Sequence, residues 1–280
     1  MAINCPDKSS LTAAIEKILA VVRSRAARPL DVVAPPEREI DRAAPDGFGA
    51  TTGGAAHSPN EEVEIRRRYQ DRPFAQRYLR AYEGPIRLRT LAAWIIATRE
   101  RRCVARALRE CQPPPSVLLD MPCGTGKLAK VLTTMVTQVI GADLSMAMME
   151  LAKGAYQTSR FSGFVCGSAE QLPFCTAAFD TVVCLRFMHL VPPATRRDIL
   201  KELARITSRR VIVSFGVGTP FQLLRLKVRH AIVRGTSTPY PARLADLRIE
   251  IEEAGLHIAR GRKILPILSC EYLLTLEKLR

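Results

Sequence analysis

The sequence predicts an α/β fold in which a mostly parallel sheet is covered by helices on both faces. Three observations carry this expectation. Beyond residue 113, short apolar runs rich in Val, Ile and Leu alternate with stretches of helical periodicity, and such continuous runs belong to strands buried on both sides. The first run, Val117–Asp120, enters a loop containing Gly124 and Gly126 and leaves it through a helix-forming stretch. The last two runs, His257–Ile264 and Glu271–Lys278, read as two further strands.

Taken in order, residues 1–60 hold one helical patch. Ser9 or Ser10 can cap it, with Leu11, Ile15, Ile18, Leu19 and Val22 on one face. Pro29 to Asn60 is rich in Pro, Gly, Ala and Asp without an apolar period, and is expected to be a mostly disordered leader. Residues 61–112 read as helices with a break near Glu83-Gly-Pro85. Asn60-Glu-Glu forms a capped start, and Leu91, Trp94, Ile95 and Thr98 continue at helical spacing toward Val104 and Leu108. In the 113–280 domain, strands are expected near 116–120, 138–142, 162–166, 180–185 and 210–215. A helix over 242–255 ends at Gly255, and His257–Ile264 and Glu271–Lys278 complete seven strands.

The loop after the first strand carries the chemistry. Val117-Leu-Leu-Asp-Met-Pro-Cys-Gly-Thr-Gly-Lys127 is followed by Val139-Ile-Gly-Ala-Asp143, a strand–loop–helix–strand unit whose second strand ends in a carboxylate. Such a unit cradles an adenosine-type cofactor at the carboxyl edge of a parallel sheet. Gly124 and Gly126 let the backbone approach a ligand, and Asp143 can accept both ribose hydroxyls. The dinucleotide fingerprint fits less well, because position 129 is Ala.

The loop resembles motif I of the class I S-adenosylmethionine (SAM)-dependent methyltransferases, Asp-x-Gly-Cys-Gly-Thr-Gly. Asp120, Cys123, Gly124, Thr125 and Gly126 match it, and Pro122 replaces its first glycine. Ala142-Asp-Leu-Ser145, Gly167–Phe174 and Phe179–Val191 resemble, in order and spacing, segments of the ubiquinone/menaquinone and Methyltransf_11 type. The resemblance implies a Rossmann-like sheet of seven strands with an antiparallel C-terminal strand, preceded by a helical N-terminal extension. It implies SAM as cofactor, with Asp120 near its amino-acid end and Leu144 and Ser145 beside the adenosine. Ser168 and Ala169 would lie at the adenine edge, where the family more often has Asp at position 168. Leu185 and Arg186 fall near the transferred methyl, and Arg186 can orient an anionic acceptor group.

Tyr69-Gln-Asp-x-x-x-Ala75-x-x-Tyr78 is similar to the helices that close over the cofactor in these enzymes, so Tyr69, Tyr78, Arg80 and Tyr82 are candidates for the acceptor wall. His189 is the candidate general base by position and titration range; its other reading is a structural histidine. Asp180 is expected to tie down a strand start. The function implied is methyl transfer to a small-molecule or lipid-like acceptor. Two alternatives remain open: a SAM-binding scaffold that has lost catalysis, and a protein that binds or methylates RNA through its basic surface.

The net charge is +15, yet residues 1–60 balance, so the excess lies on the later segments and favours anionic partners. Residues 220–235 mix Leu, Val and Ile with Arg, Lys and His, as either a basic amphipathic helix touching an anionic membrane or a packed helix with snorkelling side chains. Nothing resembles the Asn-Pro-Pro-Tyr motif of nucleic-acid amino methylation, which weighs against nucleic acid. Eight cysteines show no Cys-x-x-Cys spacing, so no metal site is read, and Cys166 and Cys184 are expected to be buried. Reduced thiols, the lack of a signal-like start and the lack of an eighteen-residue apolar run are read as cytoplasmic.

Overall fold

A computed structural model of the chain describes residues 67, 70–83, 91–217, 240–265 and 270–279. The expected leader over 1–60, the side chains of Tyr69 and Tyr82 and the basic stretch 220–235 lie outside the described residues.

Among the described residues two helices come first, α1 (Arg72–Glu83) and α2 (Leu91–Arg109), and the break expected near Glu83-Gly-Pro85 falls outside the described residues beyond Glu83. There follow β1 (Val117–Asp120), α3 (Ala129–Met135), β2 (Gln138–Asp143), α4 (Met146–Ala152), β3 (Phe161–Cys166) and β4 (Phe179–Cys184). The chain continues through α5 (Pro193–Ile206), β5 (Thr207–Gly216), α6 (Leu244–Glu253), β6 (Leu256–Lys263) and β7 (Glu271–Lys278). The seven strands form one sheet in the order β3-β2-β1-β4-β5-β7-β6. Neighbours from β3 to β5 are parallel, and β7 runs antiparallel to both β5 and β6. This is the Rossmann-like arrangement expected, with β7 inserted as the reversed strand.

The apolar runs are continuous because adjacent residues serve different layers. Leu119, Ile140, Val182 and Val211 pack on one face with Ile199 and Leu203 of α5 and Leu247 and Ile251 of α6. Their neighbours Leu118, Val139, Val183 and Ile212 pack on the other with Val104 and Leu108 of α2, Leu132 of α3 and Met149 of α4. Each such side chain contributes about 1.5–3 kcal/mol by leaving water. Polar ties hold the layers in register. Asp180 Oδ2 accepts from the Ser116 and Val117 amides at 2.7 and 3.0 Å, binding the start of β1 to β4 as expected. Arg196 donates to both oxygens of Glu250 at 2.7 and 2.8 Å, joining α5 to α6 with both side chains buried.

Three expectations change. The helix over 242–255 is shorter, Leu244–Glu253, although Gly255 still closes it at φ +76°. Trp94 is 39% exposed, because the inward face of α2 runs through Ala97, Glu100, Val104 and Ala107. Cys166 is exposed, since β3 is an edge strand, whereas Cys184 on central β4 is buried. No helix among the described residues is long and apolar enough to cross a membrane.

The two loop glycines have different jobs. At Gly124, φ is +52° and a Cβ would meet nothing within 4 Å; at Gly126, φ is +82° and a Cβ would stand 2.9 Å from Ala155 Cβ. Gly126 therefore serves the contact between the loop and the turn after α4, which corrects its expected role at a ligand. Gly124→Ala should cost about 1 kcal/mol from backbone conformation alone, and Gly126→Ala about 2–4 kcal/mol from conformation plus overlap. Urea unfolding of the two variants checks the order; equal losses would contradict this packing.

Candidate functional site

Strand order reverses between β1 and β4: β1 continues to β2 on one side, and β4 continues to β5 on the other. Loops leaving the two strands diverge there and open a crevice at their carboxyl ends, where ligands of open α/β sheets bind. The cleft at this point, with its open mouth, encloses about 1260 Å³. Its first wall is the loop after β1, pinned on both sides: the Met121 amide donates to the Val183 carbonyl and the Cys123 amide to the Ala142 carbonyl, at 2.9 and 2.8 Å.

Asp143 ends β2 at the same edge. Its Oδ2 accepts from the Gly124 amide and its Oδ1 from the Ser145 amide, both at 2.8 Å. Burial pushes its carboxyl up to about 6, against the stabilising pull of the Ser145, Gly124 and Leu144 amides. A carboxylate has about four lone-pair positions, so Asp143 holds the loop and keeps capacity for a ligand's hydroxyls. Ser145 caps α4, its Oγ accepting from the Met148 amide at 3.2 Å.

Asp120 lies deeper, 2% exposed, and accepts from the Tyr156 hydroxyl at 2.5 Å. Burial raises its carboxyl to about 7; the Tyr156 bond opposes this and the nearby Asp143 charge adds to it. Thr125 Oγ1 is buried and makes no hydrogen bond among the described residues. A loop with an orphaned hydroxyl, an outward-facing left-handed glycine and a half-engaged carboxylate fits a polar, hydroxyl-bearing ligand such as an adenosine.

Of the residues expected at the site, the cleft brings together Asp120, Cys123, Gly124 and Thr125 from the first loop and Asp143, Leu144 and Ser145 from the second. Ser168 and Ala169 after β3, Leu185 and Arg186 after β4, and Tyr78 of α1 join them. Ser168 Oγ donates to the Glu170 carboxylate at 3.2 Å. The Lys127 ammonium sits 3.9 Å from the centre of the Tyr78 ring, linking α1 to the loop by a cation–π contact.

Three expected residues among those described do not line the cleft, Gly126, His189 and Arg80. His189 is 3% exposed, with Nδ1 4.0 Å from Glu271 Oε1 on β7 and its carbonyl accepting from the Tyr240 amide. Its neighbours Leu190 and Val191 line the cleft, while Arg186 before it takes a left-handed conformation at φ +55°. Arg80 is exposed and away from the cleft.

Sequence reasoning missed Glu100. It is 4% exposed on the inward face of α2, lines the cleft, and accepts from Arg186 Nη1 at 2.9 Å through Oε1. The available signal was a carboxylate among Ala97, Val104 and Ala107 at helical spacing, since a charge on a core face requires a partner.

Residues 119–215 match the family Methyltransf_11, described as a methyltransferase domain. The match spans 97 of the chain's 280 residues. Among similar proteins, the magnesium-protoporphyrin O-methyltransferase of Synechocystis sp. is 28% identical over 151 residues, covering 52% of this chain and 65% of the relative. The malonyl-[acyl-carrier protein] O-methyltransferase of Legionella pneumophila is 35% identical over 94 residues, covering 33% and 32%. The chain spans between 21% and 65% of the lengths of the curated relatives described. The crystal structure of Synechocystis magnesium protoporphyrin IX methyltransferase with bound S-adenosylhomocysteine (SAH) superposes with a TM-score of 0.66 at 22% identity, covering 78% of this chain and all of that one. That likeness establishes the fold of the methyltransferase domain and of the elements around it.

The Asp120 carboxyl gives a pH prediction. Its folded value, about 7, lies above its ordinary value of 3.8, so the neutral form is favoured by folding. The stability this supplies is present below about pH 4 and is lost as pH rises through 7. Asp120→Asn removes the titration, so relative to wild type the variant should gain about 2–3 kcal/mol between pH 5 and pH 8. Urea unfolding at the two pH values measures it, and an unchanged difference would place a charged Asp120 in the fold at both.

Proposed function

We propose that this chain is a SAM-dependent methyltransferase acting on an oxygen of a small, largely apolar or lipid-like acceptor. The observation that carries the reading is the Asp143 carboxylate, engaged by two loop amides and lining a cleft at the reversal of strand order. Relatives named as O-methyltransferases support the oxygen acceptor. Leu185, Phe187, Leu190 and Val191 along one wall support its apolar character.

In this reading Asp143 takes the ribose hydroxyls with its remaining lone pairs, and Thr125 Oγ1 satisfies its hydrogen bond on the cofactor. Leu144 and Ala169 sandwich the adenine, and Ser168 meets its edge. Asp120 faces the amino-acid end, where a cationic group favours its ionised form. When bound, SAM supplies an activated methyl on a sulfonium for in-line displacement. The protein's contribution is to hold the acceptor close and aligned and to exclude water with α1, α2 and the apolar wall. His189, behind that wall, supports Glu271 and does not touch the acceptor.

Membrane contact through the basic stretch 220–235 belongs to the same reading as a source of lipid-like acceptors. A cytoplasmic setting accords with free cysteines.

Replacing Asp143 by Ala should weaken SAM binding about a hundredfold, or about 3 kcal/mol, through the loss of charge-assisted bonds. Asp143→Asn keeps the shape and an acceptor oxygen and should lose about tenfold. Calorimetric titration with SAM and SAH reads both. Wild-type affinity in the Ala variant would overturn the assignment, and no binding by wild type at millimolar SAM would overturn the enzyme reading.

A further inference from the structure

The acceptor end of the cleft carries a buried charge cluster built by four parts of the chain. Glu100 comes from α2, Arg186 from the turn after β4, Glu271 from the start of β7 and His189 from the segment behind the wall. Arg186 Nη1 donates to Glu100 Oε1 at 2.9 Å and lies 3.9 Å from Glu271 Oε1, while His189 Nδ1 stands 4.0 Å from that same oxygen. Glu100 and Glu271 thus face the same guanidinium, Glu100 at contact distance and Glu271 farther off. The charged groups facing the pair are Arg186 and Lys127, with Arg101 also lining the cleft.

The two carboxyls differ in access. Glu100 lines the cleft; Glu271 does not. Burial, with Glu100 adding, pushes the Glu271 carboxyl up to about 8 despite Arg186 and Lys127. Of the two carboxyls, the one that reaches the cleft is the one in contact with Arg186, at 2.9 Å. Arg186 spends its positive charge on Glu100 at contact distance. A carboxylate acceptor placed here would face Glu100 with its attraction to Arg186 already offset. A hydroxyl would find a carboxylate oxygen to accept its proton.

We propose that Glu100 is the catalytic base and that the acceptor group is a neutral hydroxyl, phenolic or enolic, and not a carboxylate. This inference rests on the methyltransferase reading and names the substrate class of that same site. The hydroxyl's O–H bond breaks toward Glu100 as its oxygen bonds the methyl carbon. The C–S pair stays on sulfur, leaving a neutral thioether, and the proton leaves the Glu100–Glu271 pair to solvent as the cleft opens. Arg186 is a positioning residue: its left-handed backbone at φ +55°, held by the amide's bond to Ser214 Oγ at 2.8 Å, aims the guanidinium at Glu100. Strained backbone of this kind persists where surrounding structure over-determines it.

Two probes of equal skeleton separate the alternatives: 2-naphthol and 2-naphthoate, titrated by calorimetry at pH 7 into the full chain saturated with SAH. The expected result is naphthol binding at least about tenfold tighter than naphthoate, since like charges in a desolvated site repel. Glu100→Gln, with SAH affinity and melting temperature checked against wild type, should erase that preference. With SAM in place of SAH, the same variant should form the naphthyl methyl ether about a hundredfold more slowly, the usual scale of a positioned base. Naphthoate binding as well as or better than naphthol in the wild type overturns the inference, as does ether formation at wild-type rate in Glu100→Gln. Failure of SAH itself to bind defeats the methyltransferase reading instead, so the two failures are distinguishable.

Discussion

The structure depends on one carboxylate placed at the end of one strand. Asp143 is buried, carries a carboxyl raised to about 6, and still draws in the amides of Gly124 and Ser145. Those two bonds fasten the loop after β1 to the turn after β2. The loop's shape follows from this fastening: Gly124 takes a left-handed conformation facing open space, and Gly126 presses against the turn after α4. Without a charged acceptor there, two buried amides would lack partners, at a cost of about 1–3 kcal/mol each. The carboxylate is thus a folding element before it is a ligand-binding one. Its capacity for a ligand is what remains after the loop has been served.

Buried acid in a strongly basic chain is the second theme. With a net charge of +15, the surface favours anions, yet the cleft is lined by Asp120, Asp143 and Glu100, with Glu271 behind. Burial raises three of these carboxyls, Asp120 to about 7, Asp143 to about 6 and Glu271 to about 8. Elsewhere the opposite holds: Glu110, bonded by Arg262, Arg106 and Arg260, is held near 2. The difference is solvent and partners. Glu110 pairs with several guanidinium groups at the surface, while the cleft acids are desolvated among few cations. A cationic ligand relieves that desolvation and is favoured in the cleft for the same reason.

Legibility in the sequence follows the range of the forces involved. The strands of the sheet were readable because two-sided burial imprints a continuous apolar run, as in Val117–Leu119 and Val211–Val213, whereas the reversal of the final pair was expected from the resemblance alone. The cofactor loops were readable because backbone amides and a terminal carboxylate must come at fixed spacing along the chain. Gly126 was misjudged, since what its missing Cβ avoids is Ala155, twenty-nine residues away. Cys166 was misjudged because strand order, not local pattern, decides which strand is an edge. His189 had two readings, a base or a structural histidine, and it lies buried near Glu271, outside the cleft lining. Glu100 and Glu271 escaped entirely: their meeting depends on a helix and a strand separated by the whole domain.

That separation has a consequence for how chemistry is divided over the fold. The matched family segment, residues 119–215, supplies Asp120, the glycine loop, Asp143, Ser168 and Arg186. Further polar groups there come from outside it: Tyr78 from α1, Glu100 from α2 and Glu271 from β7. Relatives that share the segment can share its cofactor chemistry while differing in what they methylate, because the acceptor groups ride on elements free to vary. Arg186 is the hinge between the halves. Its backbone belongs to the turn after β4 and its side chain is held by α2 and β7, so the acceptor end is complete only when those outer elements are packed in place. Helix α2 accordingly forms one wall of the cleft: Val104 and Leu108 anchor it to the sheet, and Glu100, one turn earlier on that face, delivers a carboxylate to the cleft.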